Sequence, residues 1–312
     1  IRICLVGSEM CIRDRYIISA HDQPANLLFT PSPMTSTELN ELELDLRRRL
    51  TPVLDSGVQL TVVETVDSTN VQLKAQAVKA NQTLLLACEQ TAGIGRRGSP
   101  WQSPPAGNLY LSYCVHSDRP LTELSLWSLG VTVAVADALE RELSLECKIK
   151  WPNDLYLHGM KVGGVLLETV NLPGDAVAVI IGVGLNLASH PDPTLLQRPV
   201  TCISKHTDRS VDLSMVAAVV SAALVDMCRL SHAALQAWLI SSWPRRDMLL
   251  NQPVVVPALG EGSAIARGLS PDGGLQVEFA GELRTVYAGE VSFGHVNTCL
   301  LYTSPSPRDR YG

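Results

Sequence analysis

Apolar positions recur along the chain in two periods. Leu39, Leu42, Leu44, Leu46 and Leu50 stand among acids and arginines, and their spacing predicts a helix over residues 37–50. Residues 60–66 are rich in β-formers and predict a strand. Asp67-Ser68-Thr69-Asn70 then offers N-caps for a helix reaching about Ala80. An apolar strand is predicted over 83–88 and another over 108–115, with glycines and a proline between them. Residues 121–143 have the length and spacing of one long buried helix. A strand series follows at 148–151, 155–157, 162–170 and 177–187, with turns at His158-Gly159 and Pro173-Gly174. The longest apolar stretch, 176–188, is broken by Gly182 and Gly184, is too short for a bilayer, and reads as a buried strand. Helices are predicted at 211–230 and 233–238. Beyond Pro244 the period shortens: strands at 254–256, 264–267, 275–279 and 283–286 alternate with turns at Asp272-Gly273-Gly274 and Ala280-Gly281. The pattern is that of a mixed α/β (α+β) domain, then a small all-β module, divided at Trp243-Pro244.

Composition narrows the class. The 312 residues are 46% apolar and 18% charged, which supports a substantial core and excludes a disordered chain. A net charge of -6 supplies no bulk attraction for nucleic acid or an anionic membrane, so neither partner is expected. None of the eight cysteines has the close spacing of a zinc or redox motif, and Cys88 and Cys114 fall in apolar strands. That usage suits reduced thiols in a cytoplasmic protein. Segments 4–15 and 299–310 both end in Arg-Asp-Arg and resemble translated sequencing-adapter tails. We therefore expect 1–59 to be an extension, partly non-native or disordered, and 298–312 an artefactual tail, with the native start near Met34.

Three sites carry candidate chemistry. In Gly93-Ile94-Gly95-Arg96-Arg97-Gly98, backbone N–H groups and two guanidinium forks can close around an anion. The Gly-Lys-Ser/Thr ending of a P-loop is missing, and Ser99-Pro100 stands where a dinucleotide fold needs a helix. In Lys150-Trp151-Pro152-Asn153-Asp154 an amide and a carboxylate stand at a strand exit, suited to a nucleotide and to magnesium. Lys161 precedes Val162-Gly163-Gly164, whose glycines permit close approach by a ligand. Taken singly, these read equally well as a solvated turn, an ordinary hairpin and an edge charge.

Together they resemble a known family. Val66-Asp67-Ser68-Thr69-Asn70, the run from Glu89-Gln90 through Gly98 with Trp101, Lys150 to Asp154, Lys161 to Gly164, and Gly182-Val183-Gly184-Leu185-Asn186 occur in the order seen in bacterial biotin protein ligases. The resemblance covers about residues 60–296. It implies a class II synthetase-like mixed-sheet catalytic domain over 60–243 and an SH3-like β-barrel over 244–297. It also implies ATP-dependent formation of biotinyl-5′-AMP with Mg²⁺, then transfer to a lysine of a biotin carboxyl carrier domain. By resemblance, Ser68, Thr69, Asn70, Gln90, Ile94, Gly95, Arg96 and Lys161 bind biotin, and Lys161 and Arg96 serve catalysis. Gly93, Arg97, Trp101, Asn153, Asp154 and Asn186 would bind the nucleotide, with Asp154 as the magnesium ligand. Relatives commonly carry arginine where this chain has Ile94 and a basic residue where it has Ser99.

Other readings compete. Some family members carry an N-terminal helix-turn-helix and repress genes, but residues 16–59 offer one convincing helix and a Pro-rich piece at 24–33. A lipoate or octanoate ligase shares the broad fold, and the paired arginine loop and Lys-Trp-Pro-Asn-Asp argue against it. A pseudo-ligase is favoured only by Ile94. The resemblance allows a homodimer.

Overall fold

The computed structural model describes residues 35–52, 57–104, 107–196 and 198–294. The adapter-like ends, the Pro-rich piece and Met34 lie outside them. The described residues fall into two compact units, one reaching Met248 and including Pro271–Gly273, the other formed by Leu249–Ser270 and the segment from Gly274.

The first unit is built on seven strands: β1 (Gln59–Val66), β2 (Thr83–Gln90), β3 (Leu109–Ser117), β4 (Lys148–Lys150), β5 (Asp154–Leu157), β6 (Met160–Asn171) and β7 (Val177–Leu185). Their order is β1-β2-β3-β7-β6-β5-β4. The β1–β2 pair is parallel and all the others are antiparallel, so the sheet is mixed as expected. Between β1 and β2 runs α2 (Thr69–Ala75), whose Leu73 packs with Ala77, Ala80, Leu85, Cys114, Ala178 and Ile180 in a buried cluster. This helix is shorter than expected: it ends at Ala75, and turns carry the chain to Ala80. The preceding α1 (Ser36–Leu50) starts with a capping box, in which the Thr35 hydroxyl accepts from the Glu38 N–H and the Glu38 carboxylate accepts from the Thr35 N–H. Leu46 and Leu50 are buried, and Asp45 accepts a hydrogen bond from Ser214. The one helix expected in the N-terminal stretch is thus packed on the sheet-bearing unit.

The long helix expected over 121–143 is two, α3 (Leu121–Leu124) and α4 (Trp127–Leu143). After the short α5 (Pro193–Leu196) come α6 (Leu213–Arg229) and α7 (His232–Arg246), both packed on α4. Helix α7 runs through Pro244, past the expected boundary. Its end is pinned because the fully buried Arg246 guanidinium donates to Asp137, Glu140 and the Cys147 carbonyl. This tertiary anchoring outweighs the backbone bond that a proline removes. The second unit is an antiparallel sheet of β8 (Pro253–Val255), β9 (Ala264–Leu269), β10 (Leu275–Phe279), β11 (Glu282–Val286) and β12 (Ser292–Phe293), in the order β11-β10-β9-β8-β12. Val254, Ala264, Ala266, Leu275 and Val277 form its buried side.

Candidate active site

Strand pairing aligns transverse rows on the sheet face beneath α2. Asp154, Gly164, Gly184, Tyr110 and Ala87 make one row. Leu166, Gly182, Ser112 and Leu85 make the next, and Glu168, Ile180 and Cys114 a third. Three glycines therefore leave a strip of floor without side chains. A Cβ on Gly182 would overlap the Asn70 amide oxygen, and one on Gly184 would come within 2.7 Å of the Trp101 ring. These glycines let the flanking groups lie directly on the backbone.

At one end of the strip α2 delivers a polar cluster. Ser68 is the N-cap residue, and it, Thr69 and Asn70 are all buried. The Thr69 N–H and hydroxyl donate to Gln90 Oε1 at 2.9 and 3.1 Å, and Gln90 Nε2 donates to Ser103 Oγ at 2.9 Å. Ser112 Oγ lies 2.6 Å from Asn70 Oδ1 and 2.7 Å from Thr69 Oγ1, while Asn70 Nδ2 donates to Glu168. The four residues expected in one pocket are thus brought together.

At the other end Lys161 is 6% exposed, with its ammonium 2.6 Å from Asp154 Oδ1. Strict alternation would place Lys161 with Gly163 on the opposite face. Between β5 and β6, Leu155 pairs with Gly163 but Tyr156 pairs with Lys161, so the extra Val162 re-aims the lysine toward Asp154. Its ammonium also lies 5.4 Å from the Trp101 ring centroid. Burial pushes the Lys161 pKa down, and the Asp154 charge and hydrogen bond oppose that fall. The Lys161 backbone is held on both sides, donating to Pro199 O and accepting from Thr201 N.

The glycine loop closes on itself. Gly93 O accepts from Trp101 N at 2.8 Å, and Gly95 N donates to Ser99 O at 2.7 Å. A short 3₁₀ turn, Arg96–Gly98, stands where no regular element was expected, and Arg97 within it is left-handed at φ 56°. Arg96 Nη1 is 3.4 Å from Asn153 Oδ1, which links the loop to the strand exit. Ile94 is 37% exposed. The Trp101 indole N–H is buried and has no hydrogen-bond partner among the described residues. Asn153 spends its amide N–H on the Val165 carbonyl, and Asn186 donates to Thr201 O at 3.0 Å, so both side chains brace backbone around the strip. Ser112, Ser103 and Glu168 were not expected in the site. The signal was present in Ser112 and Glu168, polar residues inside apolar strands, but only pairing register shows which face they take.

The model of the Biotin/lipoate A/B protein ligase family matches residues 62–186, and that of the Biotin protein ligase C terminal domain matches residues 249–294. The bifunctional ligase/repressor BirA of Escherichia coli (strain K12) is 30% identical over 243 residues, 77% of this chain and 75% of that one. The biotin–[acetyl-CoA-carboxylase] ligase of Paracoccus denitrificans is 29% identical over 239 residues, 73% of this chain and 98% of that one. A solved structure of the Aquifex aeolicus biotin protein ligase in complex with biotin and ATP has a TM-score of 0.64 and 27% identity, covering 75% of this chain and 97% of that one. The first unit is a mixed sheet of the class II synthetase type, and its residues 62–186 place it with the biotin/lipoate ligases as a class. Within that class the chain belongs to the biotin protein ligases, and it is an enzyme of ligase type.

Proposed function

We propose that this chain activates biotin with ATP to biotinyl-5′-AMP and transfers biotin to a lysine of a biotin carboxyl carrier domain. The observation that carries this reading is a buried lysine at one end of a glycine-floored strip, with a polar amide-and-hydroxyl cluster at the other. The cluster of Ser68, Thr69, Asn70 and Gln90 suits a ureido ring, which carries two N–H donors and one carbonyl acceptor. In this reading the apolar stem of biotin runs past the Trp101 ring, which lies on Gly184, toward Lys161.

In the first step a carboxylate oxygen attacks the α-phosphorus and the bond to the bridging oxygen breaks, releasing pyrophosphate. Negative charge from both reactants gathers there, and preorganised cations in a dry site stabilise it. Lys161 supplies one such cation and Arg96 a second, released from Asn153 as the loop closes. In the second step the acceptor amine attacks the carbonyl carbon of the mixed anhydride, and AMP leaves. Magnesium would come as a companion of the ATP phosphates, whose oxygens would supply most of its ligands; Asp154 is the carboxylate beside Lys161 at this end of the strip. Asp154 would be its protein ligand, and the ion would neutralise phosphate charge.

The test is pyrophosphate release by the purified chain with ATP and biotin, followed by labelling of an added carrier domain. Biotin-dependent release and lysine labelling are expected. Faster turnover with lipoate or octanoate, or no labelling, would overturn the reading.

A further inference from the structure

Asn70 and Lys74, one helical turn apart on α2, straddle a single carboxylate on β6. Asn70 Nδ2 donates to Glu168 Oε2 at 2.9 Å, and the Lys74 ammonium sits 2.7 Å from Glu168 Oε1. A carboxylate has no hydrogen to give and can only accept. The Asn70 atom facing Glu168 is therefore the NH₂ group, and the carbonyl oxygen is left over the bare backbone of Gly182. From there a chain of hydrogen bonds runs through Ser112, Thr69 and Gln90 to Ser103. Hydroxyls and amides can each turn either way. Glu168 is the member that cannot, so it sets the sense at its end of the chain.

We propose that Glu168 is a positioning residue for ligand recognition: by holding the Asn70 amide in one orientation it makes the pocket present an acceptor, and not a donor, to a ureido N–H. The proposal rests on the biotin reading above. Glu168 itself touches no ligand in this scheme. Its side chain is 27% exposed and lies on the far side of Asn70 from the strip.

Glu168→Gln keeps shape and removes the one-way character. Lys74 attracts the new amide's oxygen, which turns its NH₂ group toward Asn70 and inverts that side chain. Lys74→Met alone leaves the carboxylate, and hence the Asn70 orientation, in place. Lys74→Met combined with Glu168→Gln frees the glutamine to turn its oxygen back to Asn70. Biotin affinity, measured by calorimetry on the full chain, should fall at least about tenfold in Glu168→Gln, the scale of a lost charge-assisted hydrogen bond. It should stay within about twofold in Lys74→Met and recover severalfold in the double variant, with KM for ATP unchanged throughout. An ion pair that merely ties α2 to β6 predicts instead that all three variants lose equally. Equal losses, no loss in Glu168→Gln, or no recovery in the double variant would overturn the proposal. Should Glu168→Gln fail to fold, Lys74→Met decides: affinity within twofold of wild type sustains the proposal, and a tenfold loss overturns it. Wild-type protein that binds no biotin would instead sink the functional reading on which the proposal rests.

Discussion

Lys161 is the residue at which burial and chemistry conflict most directly. Its ammonium is removed from water and retained by one carboxylate, so its pKa lies below the 10.5 of a free lysine. In the proposed reaction the cation serves adenylation, and it is lost as pH rises through that lowered value. The alkaline limb of kcat/KM for biotin, read by pyrophosphate release, should therefore lie below pH 10.5. Stability moves the other way in that window: the unfolded chain holds the proton longer, so folding becomes more favourable as pH rises. Lys161→Ala should remove this limb and lower kcat by about 10²–10³, the scale for one lost transition-state donor. A limb at or above the free-lysine value, or release within a fewfold of wild type, would show the lysine to be a bystander. Ile94 poses a separate question, because the family resemblance leads one to expect arginine there. Its side chain is partly exposed, so Ile94→Arg should change stability by no more than about 0.5 kcal/mol. One added charge-assisted hydrogen bond to the phosphate should slow dissociation of labelled biotinyl-AMP by about tenfold. An unchanged rate would mean that the loop holds its ligand without help from a cation at this position.

At the scale of the element, β7 is both the centre of the core and the floor of the site. Its Val179, Ile181 and Val183 are buried on one face, while Gly182 and Gly184 alternate with them on the other. Replacing a glycine here is a steric event, because the occupants are an amide and an indole already in contact with the backbone. Gly182→Ala should displace Asn70 and weaken biotin binding more than tenfold, about 1.4 kcal/mol or greater. The overpacking itself should destabilise the fold by about 1–3 kcal/mol. Biotin titration and a thermal melt separate the two effects, and full affinity in the variant would show that Asn70 can move without consequence. Composition could not distinguish these glycines from turn residues. The alternation of strand faces, once the register is known, does.

For the molecule as a whole, the division between units falls after Met248, because Arg246 belongs to the core of the first. A chain ending at Met248 should retain the anchor to Asp137 and Glu140. One ending at Trp243 loses the buried arginine and its packing, while Asp137 and Glu140, both partly exposed, are left to water. The shorter chain should melt at clearly lower temperature, and equal melting curves would show that the end of α7 contributes nothing.

The sequence by itself determined the class of elements, their order and the ordered motifs. Those follow from local period and local chemistry, which each segment carries alone. It placed Ser68, Thr69, Asn70 and Gln90 in one site only through the likeness of their motifs to a family. Three things were decided by tertiary structure. Helix α7 passes Pro244 because a buried ion cluster holds its end. Lys161 faces Asp154 because one extra residue in β6 shifts the alternation. Ser112 and Glu168 join the site because β3 and β6 take a particular register against β7. For α7 the deciding carboxylates lie more than a hundred residues away, and for Lys161, Ser112 and Glu168 the deciding feature is the register of paired strands, which local period does not carry.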